Sequence, residues 1–155
     1  AAAQEIDKIH LLVGPGVVGF ESVREAITDH SRYSVFELVD VAMKGDCPRV
    51  LKIANSLSAE GIEPLAVIWV FAKELRLLCS AASDASTAEY KLSRSGVWKN
   101  RMSLFKGCIA RHSEKSLQSL LMRCAKIDGI SKGFEQGCAW DELRMLGFLL
   151  ASSPR

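Results

Sequence analysis

Three glycines near the start of the chain match the spacing of a nucleotide-binding loop. Gly14, Gly16 and Gly19 fit G-x-G-x-x-G, and residues 9–13 before them are apolar enough to form a strand. A dinucleotide site needs a helix that opens at these glycines and a second strand, because the pyrophosphate lies at the helix N-terminus. The helix-capping signal comes only at Ser22, and no second strand pattern follows. We therefore interpret the segment as a loop. The hypothesis that the chain belongs to a nucleotide-binding enzyme depends on this loop alone.

The other residues that could carry chemistry lie far apart. His10, His30 and His112 are widely separated and lack Cys, Asp or Glu at metal-ligand spacing. The sequence contains neither a G-x-x-x-x-G-K-[ST] phosphate loop nor a G-x-S-x-G nucleophile motif. Its five cysteines form no C-x-x-C pair and lie in mostly apolar helical contexts, so we expect reduced structural thiols. The sequence therefore predicts no catalytic residue, no metal site and no cofactor.

A stretch in the second half of the chain carries a local excess of positive charge. The formal net charge is +2, but residues 89–133 hold 10 Lys or Arg against 3 Asp or Glu. Such a region attracts a phosphate backbone or an acidic protein surface, and an ordinary solvated helical surface explains it equally well. The candidates for a nucleic-acid or acidic-partner face are Lys99, Lys106, Arg111, Lys115, Arg123 and Lys126. A nucleic-acid-binding helical module is therefore an alternative function.

One segment within this region combines an aromatic side chain with polar ones. Trp98 stands where a loop meets the next helix, and Asn100 and Arg101 follow it. A tryptophan at such a junction is more often a core plug than a contact, while the two polar residues can cap a neighbouring helix or reach a partner. Interface hot spots are enriched in Trp and Arg. We therefore name Trp98, Asn100 and Arg101 as candidate partner-interface residues.

Composition and periodicity predict that helices position all of these residues. The 155 residues are 48% hydrophobic and 25% charged, which is typical of a globular domain. The chain has only two threonines and no sustained alternation of apolar and polar residues. Because Ala, Leu, Lys and Glu dominate, we predict an all-α protein.

Turn and capping signals divide the chain into helices. Two short helices are expected over residues 2–12 and 22–30. Ser34 opens the next helix with a capping box, and Gly45 ends it, because glycine adopts the left-handed conformation that closes a helix. The polar residues 83–95 predict a loop or a weakly held short helix. The remaining helices are expected over residues 48–60, 64–82, 99–112, 117–127 and 139–151.

The longest apolar run predicts the central helix. Residues 65–72 leave no polar stripe for nearly two helical turns. We therefore expect this stretch to be buried on all sides. The run is also much shorter than the roughly 18 residues that a membrane-spanning helix needs.

The chain opens on AAAQEI, without an initiator Met, in a pattern typical of a helix interior. We therefore expect a piece of a longer protein, and the absence of a secretory leader predicts an intracellular one. A break near Tyr33 separates short helices from a larger set with apolar faces. We predict that residues 1–33 end a small helical domain and that residues 34–155 form one compact helical bundle.

Six segments, in this order and spacing, resemble the C-terminal helical collar domain of the bacterial DNA polymerase III delta family, a group of clamp-loader subunits. The more distinctive pieces are V-W-x-N-R and G-x-E-P. The segments are 36–40 (FELVD), 44–46 (KGD), 57–64 (LSAEGIEP), 73–76 (KELR), 97–101 (VWKNR) and 139–143 (AWDEL).

The resemblance implies a role in replication. It implies that residues 34–155 are a collar (oligomerisation) domain and that residues 1–33 end the small, AAA+-like lid domain before it. The family helps to load the sliding clamp onto primed DNA, without catalysis of its own, as part of the DNA-directed DNA polymerase (nucleotidyltransferase) holoenzyme.

The resemblance also implies the partners. The collar would contact the other clamp-loader subunits, and DNA would be reached through the assembled complex. The sliding clamp would be bound by an N-terminal domain outside these residues. The implied location is the bacterial cytoplasm, with no membrane partner.

Overall fold

The computed structural model describes residues 33–153. The glycine loop, the helices expected over residues 2–12 and 22–30, and nearly all of the first predicted domain lie outside the described residues. Seven α-helices within residues 33–153 confirm the prediction of an all-α bundle, and residues 83–95 contain the short helix rather than only a loop. The helices are α1 (Val35–Lys44), α2 (Cys47–Ala59), α3 (Pro64–Ala82), α4 (Ala88–Arg94), α5 (Lys99–Arg111), α6 (Glu114–Ser131) and α7 (Ala139–Ala151), with a 3₁₀ turn, Ala85–Thr87, before α4.

The predicted start of α1 is confirmed. Ser34 Oγ accepts a hydrogen bond from the Glu37 N–H at 2.9 Å, which satisfies one of the free donors at the helix N-terminus. In a complete capping box the Glu side chain would reach back to the Ser N–H. Here the Glu37 carboxylate accepts a hydrogen bond from Arg49 Nη2 at 2.7 Å. Glu37 therefore ties the first turn of α1 to α2.

The predicted end of α1 is confirmed as well. Gly45 has φ 91° and closes the helix with its backbone N–H. A Cβ at this position would lie 3.3 Å from the Ala151 carbonyl oxygen and 3.4 Å from Arg111 Cζ. Both the left-handed conformation and the limited space therefore favour glycine.

Helix α3 is the central helix of the described residues. It packs against α1, α4, α5, α6 and α7. The prediction that residues 65–72 are buried on all sides is wrong, because Leu65 and Trp69 are 40% and 47% exposed. These two residues lie about one turn apart on one side of the helix. An unbroken apolar run conceals such a stripe, because no polar residue marks the open side.

Helices α2 and α7 form a close antiparallel pair. A Cβ on Gly147 would lie 2.8 Å from Val50 Cγ1, which is nearer than real Cβ atoms come. Farther along the same contact, Arg144 Nε donates to Asn55 Oδ1 at 2.7 Å. The glycine therefore allows the last helix to approach α2 closely.

The junction between α5 and α6 joins the ends of two other helices. Arg111 Nη2 donates to the Met43 carbonyl oxygen at 2.7 Å and lies 3.4 Å from the carbonyl oxygens of Ala42 and Leu150. His112 Nε2 lies 2.7 Å from the same Leu150 oxygen. The last carbonyl groups of a helix lack partners within it and carry partial negative charge. A guanidinium at this point therefore stabilises the C-terminal ends of α1 and α7 together.

Replacing Arg111 with Met should lower the free energy of unfolding by about 2–3 kcal/mol, because the carbonyl groups at the two helix ends lose a charged donor. Urea denaturation followed by circular dichroism measures this change. Lys115→Met is the matched control, since Lys115 is an exposed cation at the start of α6. That control should leave the midpoint nearly unchanged, and an equal midpoint for Arg111→Met and the wild type would contradict the assignment.

His112 is a buried histidine, with 5% of its surface exposed. Because the Leu150 carbonyl can only accept, Nε2 carries the proton, and Nδ1 accepts from the Ser116 hydroxyl at 3.1 Å in the neutral ring. Burial lowers the pKa of His112 below its ordinary value of 6.5. The folded protein therefore favours the neutral ring.

Stability should consequently fall as the pH drops below about 6.5, since the unfolded chain takes up a proton at His112 that the folded protein resists. Urea midpoints at pH 7.5 and pH 5.5 measure this loss. His112→Gln removes the titrating ring and should reduce the difference between the two midpoints. An undiminished difference in the variant would assign the pH dependence to other groups.

Candidate assembly interface

The segment that precedes α5 turns one side chain inward and the next one outward. Val97 is buried, and its N–H donates to the Leu92 carbonyl oxygen at 3.0 Å at the end of α4. Trp98 is the N-cap residue of α5 and is 66% exposed. The core plug at this junction is therefore Val97, while Trp98 projects into solvent.

Arg101 reaches into the bundle from the first turn of α5. Its Nη2 donates to Asp40 Oδ1 of α1 at 2.6 Å, and its Nη1 lies 3.5 Å from Glu74 Oε1 of α3. The guanidinium also lies over the Phe105 ring, 5.4 Å from the ring centroid. Two roles were open for Arg101: a contact with a neighbouring helix or a contact with a partner. In the structure its guanidinium contacts two neighbouring helices.

Glu74 is the least solvated member of this contact. The residue is 3% exposed, and its Oε2 atom has no hydrogen-bond partner within the described residues. Burial raises the pKa of Glu74 above its ordinary value of 4.5, and the charge of Arg101 opposes that rise. A carboxylate held in this way costs stability unless its partner cation is in place.

Asp40 and Glu74 are not among the site residues predicted from the sequence. Each is a single acidic residue within a helical pattern, where a solvated position is the usual outcome. Asn100, which was named, is exposed in the same turn as Arg101.

The predicted basic residues do not form one free face. Arg111 binds carbonyl groups within the bundle, Lys106 Nζ pairs with Glu89 Oε2 at 2.7 Å, and Arg123 Nη1 lies 3.9 Å from Glu142 Oε2. Only three of the six, at separate places on α5 and α6, are exposed and outside these contacts; they are Lys99, Lys115 and Lys126.

Several large apolar side chains are exposed beyond Trp98. Single exposed hydrophobic residues are normal on a protein surface. Two pairs at helical spacing are more informative: Leu65 and Trp69 form an exposed stripe on α3, and Met145 and Phe148 form one on α7. The full set is Leu51, Leu65, Trp69, Tyr90, Met122, Phe134, Met145 and Phe148.

The five cysteines are free and differ in environment. Cys108 and Cys124 are buried, and burial raises the pKa of each thiol to about 11. These two thiols match the structural role predicted for them. Cys138 is exposed just before α7, so the expectation of an apolar context is wrong for this residue.

Within residues 33–153, no group of three or more His, Cys, Asp or Glu is arranged to hold a metal ion. In the same part of the chain, no helix is long and apolar enough to cross a membrane.

The seven helices define an all-α helical-bundle domain with exposed aromatic side chains. Residues 35–155 match the family model described as "Processivity clamp loader gamma complex DNA pol III C-term". Because this match covers most of the chain, the protein belongs to that family. The resemblance found in the sequence is thereby confirmed.

Curated relatives agree with the family match. The chain is 26% identical to "DNA polymerase III subunit delta" of Escherichia coli (strain K12) over 156 residues, covering 99% of the chain and 46% of the relative. It is 21% identical to the protein of that name from Haemophilus influenzae over 143 residues, covering 85% and 42%. It is 26% identical to "Probable DNA polymerase III subunit delta" of Aquifex aeolicus over 136 residues, covering 85% and 38%. The chain spans less than half the length of each.

The reactivity of the cysteine thiols should follow their burial. At pH 7.5, Cys138 should react with a chromogenic disulfide reagent within the first fast phase, because it is exposed. Cys108 and Cys124 should react only after denaturant is added, since they are buried and the thiolate is the attacking species. The measurement is a time course of released chromophore, with Cys138→Ser as the control that removes the fast phase. Fast labelling of Cys108 in the native protein would contradict the packing of α5.

Proposed function

We propose that residues 34–155 are the collar (oligomerisation) domain of a delta-type clamp-loader subunit. In the same proposal, residues 1–33 end a small, AAA+-like lid domain. The family match over residues 35–155 and the relatives named as delta subunits support this division. The relation to the E. coli protein covers 99% of the chain, and therefore nearly all of the first 33 residues.

The whole protein then helps to load the sliding clamp onto primed DNA during replication. It contributes no catalysis of its own to the DNA polymerase III holoenzyme and acts in the bacterial cytoplasm. The collar contacts other loader subunits, and DNA is reached through the assembled complex. The sliding clamp is contacted by an N-terminal domain outside these residues.

The exposure of Trp98 is the observation that carries the assembly role. A buried aromatic side chain removes about 150–250 Å² from water. Covering the 66% of Trp98 that is exposed would therefore stabilise a complex by about 3 kcal/mol. Exposed Asn100 beside it can supply a polar rim. Trp98 and Asn100 are the proposed contact residues, and Arg101 supports them from within.

Nucleic-acid binding by residues 89–133 is the second candidate. Its support is the exposure of Lys99, Lys115 and Lys126. Of the other three predicted cations, Arg111 binds carbonyl groups, and Lys106 and Arg123 lie beside carboxylates of the same chain. These contacts weaken the attraction for phosphate that six free cations would give. Assembly is therefore the function that the geometry supports better.

Trp98→Ala in the full-length subunit should leave the fold intact and weaken binding to the other loader subunits by about 2–3 kcal/mol, or about 100-fold in Kd. The loss follows from removing a side chain that is exposed in the free protein and covered in the complex. Native mass spectrometry or analytical ultracentrifugation of the mixed subunits measures the assembly, and circular dichroism checks the fold.

Phe134→Ala is the matched control, because Phe134 is an exposed aromatic (82%) at a different place on the surface. It should assemble as the wild type does. Global unfolding of Trp98→Ala would instead indicate a core role, and a folded variant with unchanged assembly would remove Trp98 from the interface.

A further inference from the structure

The first turn of α5 lacks the features that usually stabilise a helix N-terminus. Its N-cap residue, Trp98, makes no side-chain capping hydrogen bond, and the first turn contains no acidic residue. It contains two cations instead, Lys99 and Arg101. Positive charge near the positive end of the helix dipole is unfavourable. This turn would fray unless other elements held it in place.

Two other helices supply what this turn lacks. Asp40 of α1 accepts from Arg101 Nη2 at 2.6 Å, and Glu74 of α3 lies 3.5 Å from Nη1. The Arg101 N–H in turn donates to the Trp98 carbonyl oxygen at 3.0 Å. The two carboxylates are therefore linked to the Trp98 backbone through a single side chain and one hydrogen bond.

We propose that Asp40 and Glu74 are positioning residues that act through Arg101 to fix the first turn of α5 and thereby present Trp98 to its partner subunit. The inference rests on the assembly role proposed above for Trp98. Hydrogen bonds to charged groups are directional, which suits them to orient a turn that carries an exposed anchor.

The state of Glu74 supports a positioning role over a stabilising one. It is almost fully buried, one of its oxygen atoms has no hydrogen-bond partner within the described residues, and burial raises its pKa. Removing one partner of a buried ion pair is costly when it leaves the other charge buried and unpaired. Arg101 is partly exposed and keeps its contact with Asp40, so loss of the Glu74 charge does not leave the guanidinium in that state. The Glu74 carboxylate therefore contributes little to folding, and its expected contribution is to orient Arg101.

The test uses Glu74→Gln in the full-length subunit, mixed with the other loader subunits. The urea midpoint should change little, because Gln keeps the shape of Glu74 and Arg101 keeps Asp40 as a charged partner. Binding to the partner subunits should weaken by about tenfold, because Arg101 loses a charged partner and the turn loosens. Hydrogen exchange should become faster at the amides of residues 98–101. Glu89→Gln is the matched control, since Glu89 is an exposed acid of α4 that pairs with Lys106 of α5.

A double-mutant cycle separates the two proposals. In the Trp98→Ala background, Glu74→Gln should cause no further loss of binding. If Trp98→Ala alone leaves assembly unchanged, the contact role of Trp98 fails. If Trp98→Ala weakens assembly but Glu74→Gln does not, or acts additively with it, the positioning role alone is overturned.

Asp40→Asn provides a second test that does not depend on a buried position, because the Asp40 side chain is 36% exposed. It should also weaken assembly and quicken exchange at residues 98–101. A variant with the exchange rates and the assembly of the wild type would overturn the inference even if Glu74→Gln failed to fold.

Discussion

The C-terminal ends of α1 and α7 meet at the α5–α6 junction, and the arrangement of the bundle depends on the cation between them. Arg111 Nη2 donates to the Met43 carbonyl oxygen, in the last turn of α1, at 2.7 Å and lies 3.4 Å from the Leu150 carbonyl oxygen of α7. Without that charge, two partly negative helix ends would face each other in a desolvated place. The same guanidinium limits the turn after α1, because a Cβ at Gly45 would lie only 3.4 Å from Arg111 Cζ.

Helix α5 is held by polar contacts at its two ends and by two buried side chains between them. It buries only Phe105 and Cys108, whereas α1 buries seven of its ten residues. Arg101 holds the first turn through carboxylates, and Arg111 holds the last turn through carbonyl groups. The helix that presents Trp98 is therefore placed by polar contacts of defined direction, with Phe105 as its apolar anchor.

Within the described residues, local signals in the sequence predicted the helices well. Ser34 and Gly45 bracket α1 because capping depends on residues three or four positions away. The helix over residues 64–82 was likewise predicted at its observed bounds. The two arginines of α5 were harder, because their partners come from distant helices: Asp40 lies 61 positions from Arg101, and Met43 lies 68 from Arg111. In the sequence, both arginines belong to a basic region, and no local signal identifies these distant partners.

The difference between local signals and contacts with distant helices also explains why the candidate site was predicted only in part. Trp98 was selected by residue type and by its place at a helix start, both of which are local properties. Its outward orientation depends on Val97 filling the core beside it and on Arg101 being held from within. The hydrophobic effect is non-directional, so burial of apolar side chains alone would not select one orientation of this turn. A nearly fully buried Glu74, with one oxygen atom that has no hydrogen-bond partner within the described residues, is the kind of local conflict expected where a structure serves function rather than folding.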